Sequence, residues 1–301
     1  MLNGFKCMSN EFKHILLIIN PASRSGNSAD IARGVSRLEQ AGIKVTEVVS
    51  VSMEKSCEAI FLYHTSVDLI ILAGGDGTVS SVAKCLLETK SAFAILPLGT
   101  ANDLARSLDI PTDIDAAFET ILTGRLKAID LGWVNGSYFF NVANIGLGVD
   151  VTHELTPEVK KSWGVLGYLK ALFCSVVKAK HFRLKLKVDG KEHKIKSIHL
   201  GVGNGRFYGG GNIVDEDCMI DNGALSVYSL KPQSLLDLLL HAPLLRYGQH
   251  ASNPQTFICR GKRIEVATHG AKEIHADGEF VSYTPATFKV VPQALSVMVP
   301  S

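Results

Sequence analysis

Leu69-Ile70-Ile71-Leu72-Ala73-Gly74-Gly75-Asp76-Gly77-Thr78 joins a continuous apolar run to three glycines and one carboxylate. The run has the length of a buried strand, and Val79, Val82, Ala83, Leu86 and Leu87 then recur at helical spacing. Glycine at a strand-to-helix turn lets the backbone approach a ligand closely, and the helix start offers N–H groups to an anion. The stretch reads as a phosphate cradle holding a carboxylate. A tight Gly-rich turn that happens to contain an Asp is the plainer reading, because glycine punctuates many such junctions.

A second loop repeats the pattern. Leu96-Pro97-Leu98-Gly99-Thr100-Ala101-Asn102-Asp103 follows the apolar run 92–96, and Asn102 and Asp103 open another helical segment. Two neighbouring parallel strands would then end in glycine-bearing polar loops at one edge, where open α/β sheets bind ligands. A helix cap accounts for one of Asn102 and Asp103. It does not account for Gly-Thr beside a carboxylate in both loops.

These residues resemble the diacylglycerol-kinase catalytic domain, in particular the soluble bacterial diacylglycerol kinases and YegS-like lipid kinases. The likeness spans nearly the whole chain. Ile19-Asn20-Pro21-Ala22-Ser23-Arg24-Ser25-Gly26 is similar to that family's first nucleotide loop, and Ala276-Asp277-Gly278-Glu279 to its Asp-Gly-Glu signature. Gly-Gly-Asp-Gly alone is less specific, since NAD kinases and phosphofructokinases resemble it too.

Composition sets the bounds. The chain has 301 residues, 46% hydrophobic and 20% charged, enough for one large domain or two ordinary ones with a substantial core. A net charge of +2 gives no argument for nucleic acid, which is not expected as a partner. Six scattered cysteines without zinc spacing read as free thiols in a reducing cytosol. Positions 1–14 are polar or mixed and do not form a signal peptide. The longest apolar stretches, 165–177 and 235–245, fall short of the ~20 residues that span a bilayer. A cytoplasmic protein with peripheral contact at the inner membrane face is expected.

The two halves differ in pattern. Residues 15–19, 45–50, 69–72 and 92–96 read as strands, separated by helical periods at 27–40, 55–64 and 79–90. Such alternation implies a parallel sheet with right-handed crossovers. After residue 133, strict two-residue alternation at 182–188 leads into Asp189-Gly190, a hairpin turn signal. Further strands are expected at 194–202, 225–230, 263–268, 287–291 and 295–299, with helical insertions near 162–179 and 233–247. The fold expected is an α/β nucleotide-binding domain over 1–132 followed by an antiparallel, β-sandwich-like lipid-binding domain over 133–293. The family resemblance returns 294–301 to the first domain.

Phosphoryl transfer needs the donor phosphates held, their charge screened and the acceptor hydroxyl aligned and deprotonated. No Gly-x-x-x-x-Gly-Lys-Ser/Thr motif is present, so a Walker cradle is excluded. Backbone amides of Gly74, Gly75, Gly77, Thr78, Gly99 and Thr100 are the candidates, with both threonine hydroxyls. The resemblance adds ATP contacts at Asn20, Arg24 and Ser52. It implies Mg²⁺ or its waters at Asp76 and Asp103, with Asn102 beside them, and Ser80-Ser81 replace the Asn-Glu common in relatives. It makes Glu279 the general base, with Asp277 holding its loop or sharing the proton; an ordinary Asp-Gly hairpin turn is the structural alternative.

Asp130 matches an aspartate of a water–metal network, or is a solvated hinge carboxylate. A second, structural Mg²⁺ loop of the family corresponds to Met219-Ile220-Asp221-Asn222-Gly223-Ala224. There the Asn222 side chain would join the Met219 and Ala224 carbonyls, without the charge that Mg²⁺ favours. The apolar stripe of 162–179, ringed by lysines, either lies on an anionic bilayer or packs on its own sheet. The implied activity is an ATP- and Mg²⁺-dependent lipid kinase. A soluble-acceptor kinase of NAD-kinase type and a non-catalytic lipid-binding protein are the alternatives.

Overall fold

The computed structural model describes residues 12–23, 28–147, 149, 181–208, 212–213, 219–232 and 256–301. They form two compact units, one running to Ile129 and including Ala294–Ser301, the other Asp130–Gln293.

The first unit contains β1 His14–Ile19, α1 Ser28–Gln40, β2 Lys44–Val49, α2 Met53–Tyr63 and β3 Leu69–Gly74. It continues through α3 Asp76–Ser81, α4 Ala83–Thr89, β4 Phe93–Pro97, α5 Asp103–Ser107 and α6 Ile114–Thr123. The strands run parallel in the order β2-β1-β3-β4. Every residue of β3 and β4 is buried, as their uninterrupted apolar sequence requires of strands covered on both faces. Ile15 and Leu17 of β1, Ile31, Val35 and Leu38 of α1, and Phe118 of α6 pack into one core with them. Met298, near the C-terminus, joins that core, and Val297 pairs with Phe93 in parallel.

The helix expected over 79–90 is two helices. The Ser81 hydroxyl donates to the Thr78 carbonyl at 2.9 Å, and Val82 leaves the helical region at φ −102°, ψ 4°. Serine back-bonding of this kind competes with the backbone ladder and bends the chain.

In the second unit, β5 Arg125–Val134, which begins in the first, pairs with β6 Ser137–Phe139, and β7 Val142–Gly146 follows. Then come β8 Phe182–Val188, β9 Lys191–Ser197, β10 His199–Gly203, the short pair β11 Phe207–Tyr208 and β12 Asn212–Ile213, and β13 Leu225–Leu230. The last five are β14 Thr256–Gly261, β15 Arg263–Thr268, β16 Glu273–Ala276, β17 Glu279–Tyr283 and β18 Ala286–Val299. One antiparallel sheet has the order β14-β13-β10-β7-β16-β17, and β9, β8, β15 and the first half of β18 run side by side in another. Leu184, Leu186 and Phe288 from the latter meet Ala143, Leu200 and Val227 from the former in one core. That is a β-sandwich. The Asp189-Gly190 turn joins β8 to β9 with both residues at positive φ, 46° and 90°.

Two expectations change here. The single strand expected over 194–202 is β9 and β10, which lie in different sheets. The break is built by Ser197, whose hydroxyl donates to the carbonyls of His199 and Leu230 and accepts the His199 N–H at 3.1 Å. The strands expected at 287–291 and 295–299 are one, β18, continuous through Pro292. The helical insertions near 162–179 and 233–247 lie outside the described residues.

The free-thiol expectation also fails at one pair. Cys57 of α2 and Cys85 of α4 form a disulfide with Cα atoms 5.8 Å apart. Their separation of 28 residues hid the pairing, which exists because the two crossover helices pack together. Cys259 is a free thiol, and burial pushes it up to about 11. Cys7, Cys174 and Cys218 lie outside the described residues.

Closing a loop of this length is worth roughly 3.5 kcal/mol on chain-entropy grounds. Cys57→Ser should therefore lower the urea midpoint of the oxidised protein, and a reductant should bring the wild type down to the variant. Identical midpoints for both proteins under oxidising conditions would show that the bridge contributes nothing.

Candidate functional site

The carboxyl edge of the parallel sheet collects the nucleotide-loop candidates. β1 is flanked by β2 on one side and β3 on the other, so the chain reverses its direction of sheet growth there. Ligand crevices of open α/β sheets form at such a switch point. Asn20, one residue past β1, donates from Nδ2 to Thr78 Oγ1 at 2.9 Å, directly across it. Its Oδ1 accepts the Ala22 N–H at 3.0 Å and so shapes its own loop. Ser52 caps α2, its hydroxyl accepting the Lys55 N–H at 3.4 Å. Arg24 lies outside the described residues.

The two glycine loops touch backbone to backbone. Gly74 pairs with Pro97 at the end of the β3–β4 ladder, and the Leu98 N–H donates to the Gly74 carbonyl at 3.0 Å. A β-carbon on Gly99 would stand 2.6 Å from the Gly75 Cα and 2.7 Å from Asn102 Oδ1; one on Gly75 would stand 3.0 Å from the Gly99 Cα. Neither position tolerates a side chain without moving main chain.

Asn102 closes the second loop from inside. It sits at φ 51°, accepts the Gly99 N–H at 2.9 Å and donates from Nδ2 to the Gly99 and Pro97 carbonyls at 3.0 and 3.3 Å. Asp76 Oδ1 accepts the Leu104 N–H at 3.1 Å, which fastens the first loop to the helix after the second. Asp103 is buried at the start of that helix, whereas Thr100 is exposed. A cavity of 430 Å³ opens beside Gly99, Thr100 and Asn102, with Arg33 and Arg106 in its wall. Gly75, Asp76, Gly77, Thr78, Gly99, Thr100, Asn102 and Asp103 thus lie on two loops bound to each other. Hard oxygen donors of this kind suit Mg²⁺.

The second unit holds the remaining candidates. Asp277 and Gly278, at φ 48° and 93°, make the two-residue turn between β16 and β17. The Asp277 carboxylate accepts three backbone N–H groups: Phe140 at 2.8 Å, Asn141 at 2.9 Å and Val142 at 3.2 Å. Its own N–H donates to the Val142 carbonyl at 2.9 Å. Glu279 is the first residue of β17 and is exposed. The turn and the carboxylate are one object: Asp277 locks the hairpin that presents Glu279.

Asp130 is not a solvated hinge carboxylate, being only 2% exposed. Its Oδ1 accepts the Gln293 N–H at 2.8 Å and its Oδ2 the Gly223 N–H at 2.7 Å. Its N–H donates to the Ile220 carbonyl at 2.7 Å, so the structure brings Asp130 against the loop containing Met219, Asn222 and Ala224. Within that loop Asn222 Oδ1 accepts the Ala224 N–H at 3.1 Å. Among the described residues no cluster of three His, Cys, Asp or Glu side chains is placed to hold a metal.

Asn204 carries a role that the sequence reading did not assign. Its Nδ2 donates to the Asp130 and Phe140 carbonyls at 3.1 and 2.9 Å, joining the strands that carry Asp130 to the segment gripped by Asp277. The available signal was an Asn between two glycines at a strand end, Gly203-Asn204-Gly205. Positions 209–211 lie outside the described residues.

Comparison with known proteins gives a consistent answer. Residues 14–134 match the diacylglycerol kinase catalytic domain model, and residues 143–299 match the YegS C-terminal NAD kinase beta sandwich-like domain. Diacylglycerol kinases of Staphylococcus aureus strains MRSA252 and JH9 are each 26% identical over 293 residues, covering 96% of this chain and 93% of theirs. A crystal structure of a diacylglycerol kinase from Bacillus anthracis str. Sterne has a TM-score of 0.77 at 22% identity, covering 96% of this chain and 97% of its own. Another structure from that strain reaches 0.84 at 24% identity, with 99% and 98% covered. At these identities the structural likeness is one of fold. The two domain models, in order and nearly end to end, place the chain in the diacylglycerol kinase catalytic-domain family, to which it belongs.

Proposed function

We propose that this protein is an ATP-dependent lipid kinase that transfers the γ-phosphoryl group of ATP to a hydroxyl of a membrane lipid, diacylglycerol or a close relative. The observation that carries the reading is the fused pair of glycine loops at the carboxyl edge of the parallel sheet, beside its switch point. Their first-turn amides, with the hydroxyls of Thr78 and Thr100, are suited to a triphosphate. Asp76 and Asp103 would hold Mg²⁺, which supplies charge neutralisation on the transferring group. Membership of the family and the names of the S. aureus relatives support the same acceptor class.

In the reaction the acceptor oxygen bonds to the γ-phosphorus while the bond from that phosphorus to the β–γ bridging oxygen breaks. ADP leaves, and the acceptor's proton passes to Glu279. Asp277 does not share that proton in this account, because both its oxygens accept backbone amides. Access to a lipid is by transient contact at the inner membrane face. Among the described residues no helix is long and apolar enough to cross a bilayer.

The test is phosphate transfer from labelled ATP to mixed vesicles containing diacylglycerol, with the labelled lipid identified by mass spectrometry. Glu279→Gln should lower kcat about 10²- to 10⁴-fold with ATP affinity unchanged. No labelled lipid from wild type, or phosphorylation of NAD in lipid-free buffer, would overturn the reading. Gly99→Ala should cost about 1–3 kcal/mol of stability through overpacking and weaken ATP binding. Gly77→Ala, whose β-carbon meets no protein atom within 4 Å, should stay within about 0.5 kcal/mol of wild type in stability. An unchanged ATP affinity in Gly99→Ala would contradict the assignment of these loops.

A further inference from the structure

The loop at 219–224 corresponds to one that the family resemblance equips with a structural Mg²⁺, and its donors do not fit that ion. Mg²⁺ asks for oxygen ligands in near-ideal octahedral geometry and gives up its water reluctantly, so an anionic ligand matters. The side chain at the ligating position is a neutral amide. Its oxygen accepts the Ala224 N–H at 3.1 Å, and the Asn222 N–H donates to the Met219 carbonyl at 3.3 Å. These two bonds fold the loop on itself around Gly223, which takes φ 69°.

The neighbouring carboxylate is committed as well. Asp130 spends one oxygen on the Gly223 N–H and the other on the Gln293 N–H, both at 2.8 Å or less. Charge-assisted bonds of this kind are about twice as strong as neutral ones. A cation drawing on Asp130 would compete for its charge with the Gly223 and Gln293 amides, which already hold both oxygens in place. The Ile220 carbonyl, held by the Asp130 N–H at 2.7 Å, completes the fastening.

We propose that in this protein the 219–224 loop is closed by Asp130 and Asn222 in place of a structural cation, so that its second unit is stable without bound divalent metal. The inference rests on family membership and on these hydrogen bonds, not on the kinase reading. Its test uses neither ATP nor lipid, so the two can fail separately.

Thermal unfolding of the full chain, without nucleotide, is measured in EDTA and in Mg²⁺. Wild type should melt within about 1 °C under both conditions, a ligand that does not bind giving no linkage shift. Asn222→Asp adds a third carboxylate to Asp130 and Asp221. It should melt below wild type in EDTA and regain about 3 °C or more with about 10 mM Mg²⁺. A wild-type rise with Mg²⁺ that Asn222→Ala abolishes would overturn the proposal. A rise that Asn222→Ala leaves intact arises elsewhere and agrees with it. An Asn222→Asp protein indifferent to Mg²⁺ would refute the claim that the amide is what excludes the cation.

Discussion

At Gly75 and Gly99 two main chains approach so closely that a β-carbon on either would meet the other's Cα at 3.0 Å or less. The contact follows from the β3–β4 ladder, which carries Gly74 alongside Pro97 and delivers both loops to one edge. Everything else at that edge is built around it. Asn102 holds the second loop by three bonds to its own backbone, Asp76 reaches over to the Leu104 amide, and Asn20 reaches Thr78 from the next strand. Two loops that would separately be pliant become one rigid polar rim, which is what an anion with several oxygens requires of its binder. Preorganised donors need no rearrangement when charge arrives.

The second unit applies a different device twice. Asp130 and Asp277 each turn a carboxylate onto main-chain N–H groups contributed by segments distant in sequence. A buried carboxylate is costly unless its oxygens are satisfied, and backbone amides satisfy them without a counter-charge. An aspartate used in this way acts as a clasp: it gathers loop ends that no ladder joins. Asn204 does the same from the donor side, linking the Asp130 and Phe140 carbonyls.

What could be read in advance follows from range. β1, β3 and β4 were legible because continuous burial writes a continuous apolar run. The Asp189-Gly190 hairpin was legible because strict alternation and an Asp-Gly turn are local signals. The split of β9 from β10 was not, since it depends on a Ser197 hydroxyl reaching Leu230, 33 residues away. The Cys57–Cys85 bridge depends likewise on two crossover helices meeting. At the site, the glycines were marked by their spacing. The bond from Asp130 to Gln293, 163 residues apart, leaves no mark in the sequence, so nothing local signals that this carboxylate is buried against main-chain amides.

The Asp-Gly-Glu segment shows why a structural and a chemical reading of one motif need not compete. Two residues at positive φ make a hairpin turn, and Asp and Gly are there because they tolerate that region. The same Asp277 then uses both oxygens to bind β7's leading edge, which fixes the turn against the sheet. Both oxygens of that carboxylate are thus engaged with main-chain amides. Glu279, one residue beyond the turn, has its backbone held in the β16–β17 pair while its side chain stays exposed. Of the two carboxylates, the one bound to main chain fixes the turn from which the exposed one projects. A turn without Asp277 would still reverse the chain, but Glu279 would no longer be presented from a fixed point.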